Sequence, residues 1–198
     1  MEKFDAIEAE RLLRKVFLTE EIAQALNVSE EEINAVVHAD AINQIQKERL
    51  ENLEEVKIFK DGLENMFPSY RFSARLKSLP SIFGKMLRYR TIADVFGIKV
   101  IVPTIEECYY FKDWLGAHYQ EFDFEDKIIN PKPNGYKDLK LVIEYTSENV
   151  EEVLVEFIIQ TPQMYVDSHT IQKHSNVYPW KYHKVIKDLP AEYEYLEF

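Results

Sequence analysis

Cysteine, glycine and long apolar runs are all scarce in this chain of 198 residues. Cys108 is the single cysteine, which excludes an intrachain disulfide. Its neighbours Glu107, Tyr109 and Tyr110 indicate a helix, so we expect a packed thiol rather than a nucleophile. No apolar run approaches transmembrane length and no signal peptide opens the chain, so the expected compartment is the cytoplasm.

Positive charge is also in short supply. Lysine and arginine number 24 against 35 aspartates and glutamates, which gives a net charge of −11. This balance argues against broad binding of nucleic acid or of a membrane surface, although it leaves room for a local basic patch. Hydrophobic residues make up 46% of the chain, as in ordinary globular proteins, and the length suits one domain with an extension.

Residues 2–66 have the apolar spacing of helices. Thr19 and Ser29 are predicted N-caps, and Glu32 completes a capping box with Ser29. A single longer helix is predicted from about residue 39 to residue 66, ended by Pro68. Residues 19–29 also resemble a helix-turn-helix, but the glutamates at 30–32 would face the phosphates, so we expect no DNA binding.

Beyond Pro68 the pattern changes to strands alternating with helices. Strands are predicted at 70–76, within 92–102, at 139–145 and at 150–161. Helices are predicted at 81–89, at 105–119 and from 162 to about 174, with a long loop at 120–137. The order predicts an α+β fold with a mixed central sheet flanked by helices. The predicted domains are an N-terminal helical extension, residues 1–66, and a second domain, residues 67–198.

Cations and hydroxyls cluster around the start of the short helix near Pro80, and a lone carboxylate, Asp94, stands before the next strand. A helix N-terminus, cations and an isolated carboxylate suit a metal-bound polyphosphate. A solvated basic face is the alternative interpretation. Glu156 is the other informative carboxylate, because it lies inside an apolar strand and is costly to bury without a cation.

Four segments in order resemble the synthetase domain of the RelA/SpoT family. Residues 75–86 read R-L-K-S-L-P-S-I-F-G-K-M and residues 94–100 read D-V-F-G-I-K-V. Residues 130–136 read N-P-K-P-N-G-Y after Asp126, and residues 155–161 read V-E-F-I-I-Q-T before Met164. The resemblance implies a nucleotidyltransferase-like fold and a pyrophosphokinase that moves pyrophosphate from ATP to a ribose 3′-hydroxyl, with Mg²⁺ as cofactor.

The resemblance also implies roles for individual residues. The predicted ATP-binding residues are Arg75 and Lys99 at the adenine, and Lys77, Ser81 and Lys85 at the phosphates. The predicted acceptor-binding residues are Lys132, Asn134, Tyr136, which stacks on the base, and Lys140. The predicted catalytic and metal-binding residues are Asp94, a Mg²⁺ ligand, and Glu156, which aids Mg²⁺ binding or activates the 3′-hydroxyl.

Several positions depart from the family pattern. Lys99 replaces an arginine, Asp138 a serine and Lys140 a histidine, while Ile158 and Gln160 replace the Gln and Arg of Q-I-R-T. The donor half is therefore closer to the family than the acceptor half. Isoleucine cannot make the hydrogen bonds of the glutamine that the family associates with the acceptor.

Three functions stay open at this point. The leading hypothesis is synthesis of ppGpp or pppGpp from GDP or GTP. A toxin of the same family would instead modify the 3′-adenosine of tRNA or make adenosine alarmones, with an antitoxin as partner and Arg11, Arg14 and Lys15 as candidate RNA contacts. The third is a degenerate protein that binds nucleotide or a partner without turnover. A homo-oligomer is compatible with each, and no membrane partner is expected.

Overall fold

The computed structural model describes residues 5–88, 91–171 and 195–198. Its helices are α1 Ala6–Phe17, α2 Glu20–Leu26, α3 Glu30–Val36, α4 Ala39–Glu51, α5 Leu53–Met66, α6 Leu79–Met86, α7 Ile105–His118 and α8 Pro162–Ile171. Its strands are β1 Arg71–Leu76, β2 Phe96–Ile101, β3 Gln120–Asp126, β4 Leu139–Tyr145, β5 Val153–Gln160 and β6 Leu196–Glu197. None of the helices described here has the length and apolarity needed to cross a bilayer.

The described residues form two compact units. The first comprises residues 5–51, 77–88, 91–92 and 195–196, and the second comprises residues 52–76, 93–171 and 197–198. The predicted division into residues 1–66 and 67–198 is a different one, because it marks an N-terminal extension and the RelA/SpoT-like domain. It stays a prediction.

The first unit is helical and contains α1 to α4 together with α6. Its core is formed by apolar side chains that recur on one face of each helix, including Leu13, Phe17, Ile33, Ile42 and Phe83. The predicted capping box is confirmed, since Ser29 Oγ accepts from the Glu32 amide and Glu32 accepts from the Ser29 amide.

One prediction for the helical region is confirmed in position only, and another is wrong. Thr19 is the N-cap residue of α2, as predicted, but its hydroxyl donates to the Val16 carbonyl and makes no capping hydrogen bond. The long helix expected over residues 39–66 is two helices, because α4 ends at Glu51 and α5 begins after its N-cap Asn52. Its end is as predicted, with Phe67 as C-cap directly before Pro68.

The second unit is built on a six-stranded mixed sheet with the order β3-β4-β5-β2-β1-β6. Strands β2 and β5 are parallel, and the pairs β1/β2, β4/β5 and β3/β4 are antiparallel. The predicted α+β fold is confirmed. The loop expected at 120–137 is wrong, because residues 120–126 form β3 along β4. The sequence analysis also missed β6, and the end of the last predicted helix lies outside the described residues.

One face of this sheet is apolar and packs against α5 and α7. Phe59, Phe111 and Phe157 meet there in edge-to-face contacts, with ring centroids 6.1 Å apart in both pairs that include Phe157. Phe111 and Leu115 of α7 are buried, as predicted for the aromatic helix. Because successive strand residues alternate between faces, the polar residues of β1, β2, β4 and β5 lie on the opposite face.

We expect Cys108 to resist thiol reagents in the folded protein. Its thiol is fully buried, and burial raises its pKa to about 12, so almost no thiolate forms near neutral pH. With one cysteine in the chain, a disulfide-exchange reagent should label no site in buffer and one site in urea. Rapid stoichiometric labelling without denaturant would show that α7 does not pack as described.

Candidate functional site

Four of the predicted site residues share the sheet face that points away from the apolar core. In one row, Arg75 of β1 pairs with Gly97 of β2, and Gly97 pairs with Glu156 of β5. Residues directly opposite each other on paired strands lie on the same face, so the row brings the predicted adenine contact beside the predicted catalytic carboxylate.

The neighbouring row contains the two lysines. Lys99 of β2 pairs with Ile158 of β5, and Ile158 pairs with Lys140 of β4. Ile158 therefore stands between two cationic positions, where the family pattern has glutamine. Neighbouring strands are about 4.8 Å apart, so the two lysine backbones are separated by about 10 Å.

Arg75 reaches across β2 to Glu156. Its Nη2 donates to Glu156 Oε2 at 3.2 Å, and only 7% of the Glu156 surface is exposed. Gly97 makes this crossing feasible, because a Cβ atom there would lie 2.8 Å from Arg75 Nε and 3.2 Å from its Cγ. The cation that the sequence analysis required for Glu156 is thus supplied by β1, on the far side of β2.

Lys99 lies beside an aromatic side chain of α8. Its ammonium is 5.0 Å from the centre of the Tyr165 ring, a cation–π arrangement. Burial lowers the pKa of Lys99, the positive charge of Arg75 lowers it further, and Glu197 opposes both. The cationic form of Lys99 is therefore less favoured than that of an ordinary surface lysine.

Asp94 is buried two residues before β2, with 8% of its surface exposed. Together with Glu156, the fourth residue of β5, it gives the second unit two buried carboxylates on two adjacent parallel strands, one just before β2 and one within β5. No group of three His, Cys, Asp or Glu side chains suited to a metal occurs in the part of the chain that the structure describes. This donor set fits Mg²⁺, which takes one or two carboxylates and completes its shell with water and substrate oxygens.

The loop between β3 and β4 contains the other predicted acceptor residues. It turns tightly at Gly135, whose φ is 82°, and the Asn134 side chain accepts from the Tyr136 amide at 3.1 Å. The Lys132 ammonium lies 5.3 Å from the centre of the Tyr136 ring. Lys132 and Asn134 thus shape the Tyr136 turn, and both are exposed.

Tyr136 is influenced electrostatically by both members of the Arg75–Glu156 pair. Burial raises the pKa of its hydroxyl, the charge of Asp138 and a hydrogen bond to Asp138 raise it further, and Glu156 acts in the same direction. Arg75 opposes them. The second unit therefore brings the predicted stacking tyrosine within electrostatic range of the predicted catalytic carboxylate.

Lys140 is engaged by two carboxylates of β3. Its ammonium lies 2.9 Å from Asp123 Oδ2 and 3.0 Å from Glu125 Oε1. Glu125 also contacts Lys127 at 2.6 Å, and these cations hold its pKa at about 2, with Lys127 the larger cause. The stability that this carboxylate contributes is present above its unfolded pKa and is lost as the pH falls toward 2.

The three predicted phosphate contacts belong to the first unit. Ser78 is the N-cap of α6, with its hydroxyl donating to Ser81 Oγ at 2.8 Å and accepting from the Ser81 amide. Lys77 directly precedes this cap, and Lys85 lies in the last turn of α6. The helix begins at Leu79 rather than at Ser81, with Pro80 in its first turn.

A family profile described as the region found in RelA / SpoT proteins matches residues 74–184, more than half of the chain. The chain belongs to the RelA/SpoT family. It is 26% identical over 160 residues to the GTP pyrophosphokinase of Photobacterium angustum, covering 73% of this chain and 20% of that protein. It is 30% identical over 115 residues to the GTP pyrophosphokinase of Escherichia coli K12, covering 54% of this chain and 14% of that protein. The chain thus spans a fifth or less of these curated relatives.

Solved structures of small family members have the same fold. A GTP pyrophosphokinase family protein from Streptococcus pneumoniae superposes with a TM-score of 0.59 at 21% identity, covering 74% of this chain and 82% of that one. Small alarmone synthetase 1 of Bacillus subtilis, bound to its product pppGpp, superposes with a TM-score of 0.56 at 23% identity. The match covers 70% of this chain and 81% of that one.

Some residues of this candidate site were not predicted from the sequence. Gly97 was read only as part of a motif, Asp138 and Gln160 only as departures from it, and Tyr165 was not assigned to the site. Gln160 is buried, and its side-chain amide donates to the Lys137 carbonyl at 2.9 Å, which ties β5 to the loop before β4. The alternation of acidic and aromatic residues at 121–125 was the available signal for β3.

Substituting Gly97 tests the crossing of Arg75 over β2. In Gly97→Ala the added methyl would displace Arg75 and break its contact with Glu156, so we expect the free energy of unfolding in urea to fall by about 1 kcal/mol. Gly62→Ala in α5 is the matched control, because its Cβ meets no atom within 4 Å and should raise helix stability by up to about 1 kcal/mol. Equal stabilisation of both variants would contradict the crossing.

Proposed function

We propose that this RelA/SpoT protein transfers a pyrophosphoryl group from ATP to the ribose 3′-hydroxyl of GDP or GTP. The 3′-oxygen attacks the β-phosphorus of ATP, the bond from that phosphorus to the oxygen bridging the α- and β-phosphates breaks, and AMP leaves. The observation that carries the proposal is the contact between Arg75 and the buried Glu156, with Tyr136 within electrostatic range of both side chains.

Arg75 and Lys99 are the proposed adenine contacts. A guanidinium is a flat cation that stacks on rings, and the Arg75 side chain keeps about a third of its surface exposed while it holds Glu156. Lysine lacks that plane, and in this chain the Lys99 ammonium lies against Tyr165 instead. For Lys77, Ser81 and Lys85 the proposed contact with the ATP phosphates rests on the family motif.

Asp94 and Glu156 are the proposed Mg²⁺ ligands. When bound, Mg²⁺ would supply charge neutralisation for the pyrophosphoryl oxygens. Glu156 is also suited to accept the proton of the 3′-hydroxyl as the phosphorus–oxygen bond forms. Arg75 donates to Glu156 Oε2 and so orients this carboxylate for the proton transfer.

Tyr136 is the proposed platform for the acceptor base. Its ring is held by the Asn134 turn and by Asp138, so little side-chain entropy is lost when a base stacks on it. The Lys132 ammonium lies against this ring, so a stacking base must use another part of the ring or displace Lys132. Ile158 at the family's glutamine position favours a test of acceptors beyond guanosine nucleotides.

Pyrophosphoryl transfer is measured directly with ATP labelled at the β-phosphate, Mg²⁺ and a parallel panel of GDP, GTP, AMP, ATP and bulk tRNA. We expect label on GDP or GTP, and a loss of at least a hundredfold in rate for Asp94→Asn because a metal ligand is removed. Asp113→Asn is the matched control, since this carboxylate on α7 is largely exposed and should leave the rate unchanged.

Each other outcome of this assay selects a different function. Label on tRNA alone would identify a translation-blocking toxin, and label on adenosine nucleotides alone would identify an adenosine alarmone synthetase. No transfer to any acceptor would leave a nucleotide-binding or partner-binding protein. Full activity in Asp94→Asn would overturn the Mg²⁺ assignment.

The lowered pKa of Lys99 predicts a pH-dependent affinity for ATP. Its folded-state pKa lies below 10.5, so its charge is lost as the pH rises through that lower value, and ATP binding should weaken there. Lys99→Arg stays charged over this range, so the loss should be much smaller in that variant. Calorimetric titrations with a non-hydrolysable ATP analogue across the alkaline range measure the affinity of the wild type and of Lys99→Arg at each pH. Parallel profiles would exclude Lys99 as the titrating group.

A further inference from the structure

Asp138 is a buried carboxylate that contacts the proposed base-stacking tyrosine. Its exposed fraction is 2%, and its Oδ2 accepts from the Tyr136 hydroxyl at 2.6 Å. An O–H···O bond this short to a carboxylate is charge-assisted and stronger than a bond between neutral groups. The Tyr136 ring is therefore fixed at its hydroxyl end as well as at its backbone.

Asp138 also pairs with a lysine of the same loop. Its second oxygen, Oδ1, accepts from the Lys127 ammonium at 3.2 Å, and only 12% of the Lys127 side chain is exposed. Both carboxylate oxygens therefore have donors, which offsets the cost of burying the charge. Lys127 also contacts Glu125 at 2.6 Å, so it keeps an anionic partner when Asp138 is changed.

The same two residues close the neck of the loop that contains Tyr136. The Lys127 amide donates to the Asp138 carbonyl at 2.9 Å, which joins the two ends of the segment between β3 and β4. At the β3 end, Asp126 Oδ1 accepts from the amides of Ile128 and Ile129 at 2.9 Å. A loop closed at its neck and hydrogen-bonded at its tip holds Tyr136 in one position before any ligand binds.

We propose that Asp138, supported by Lys127, is the positioning residue that orients the Tyr136 ring for the acceptor nucleoside. This inference rests on the proposed function, because it gives Tyr136 a base to stack on. Asp138 acts through the tyrosine hydroxyl and touches no reacting atom, so its removal should weaken the acceptor step and leave the ATP step intact. The ligand class is a nucleoside di- or triphosphate whose base faces an aromatic ring.

The decisive comparison places Asp138→Ala in the wild-type chain and in Tyr136→Phe. In the wild type we expect the KM for the acceptor to rise about tenfold, with the KM for ATP unchanged. In Tyr136→Phe the hydroxyl is already absent, so Asp138→Ala should add little to the acceptor KM. Asp138→Asn keeps an oxygen that accepts from the hydroxyl and should restore most of the wild-type acceptor KM.

Two readouts separate positioning from general stability. Asp113→Ala on α7 removes another carboxylate of the same unit, with 75% of its side chain exposed, and should leave both KM values unchanged. If Asp138→Ala raises both KM values equally, or raises the acceptor KM as much in Tyr136→Phe as in the wild type, Asp138 has only a structural role.

The role of Asp138 can be measured even if the protein transfers no pyrophosphate. Affinities for GDP, GTP, AMP and ATP, measured by calorimetry, should then rank the variants as the acceptor KM does. Asp138→Ala should lower the affinity for one of these nucleotides and leave the others unchanged. Selective weakening without turnover would remove the proposed function and retain the positioning role. Equal affinities of wild type and Asp138→Ala for every nucleotide would overturn the positioning role.

Discussion

Much of the second unit depends on the contact that Arg75 makes with Glu156 across Gly97. A carboxylate within a central strand is costly to bury, and the cost is offset only by a cation that stays beside it. Arg75 can be that cation because β2 lies between β1 and β5, and because residue 97 has no Cβ. The contact therefore requires this strand order, this register and a glycine at position 97, and it lies on the polar face of the sheet.

The two faces of the sheet divide packing from chemistry. On one face, Phe59, Phe111 and Phe157 fill the space beneath α5 and α7, and their burial supplies much of the driving force for folding of this unit. The other face is left free to hold charged side chains, whose spacing is fixed by the strands beneath them. A rigid sheet with one polar face gives those side chains defined positions that a loop would not provide.

The sequence was sufficient where local chemistry decides the outcome. Apolar runs located β2, β4 and β5, and Ser29 with Glu32 defined a helix start, because each signal lies within a few residues. It was insufficient where a distant partner decides. Residues 120–126 were included in a loop predicted over 120–137 from its Pro, Asn and Asp content, yet Lys140 on β4 pairs with Asp123 and Glu125 and favours a strand there. In the same way, nothing local indicates that Asp138 meets Lys127, or that Arg75 crosses Gly97 to Glu156.

Contacts with residues distant in the sequence also explain the setting of Ile158 and Lys140, which differ from the family pattern. Lys99 and Lys140 flank Ile158, but Lys99 lies against Tyr165 and Lys140 is held by Asp123 and Glu125, so an anion at Ile158 would compete with contacts that already exist. A substrate phosphate would gain less from Lys140 than from an unpaired lysine, since its charge is already shared with two carboxylates. Under the proposed function, recognition in this region would fall to the apolar Ile158 side chain and to the Tyr136 ring, because both suit the flat, uncharged base of a nucleotide better than its phosphates.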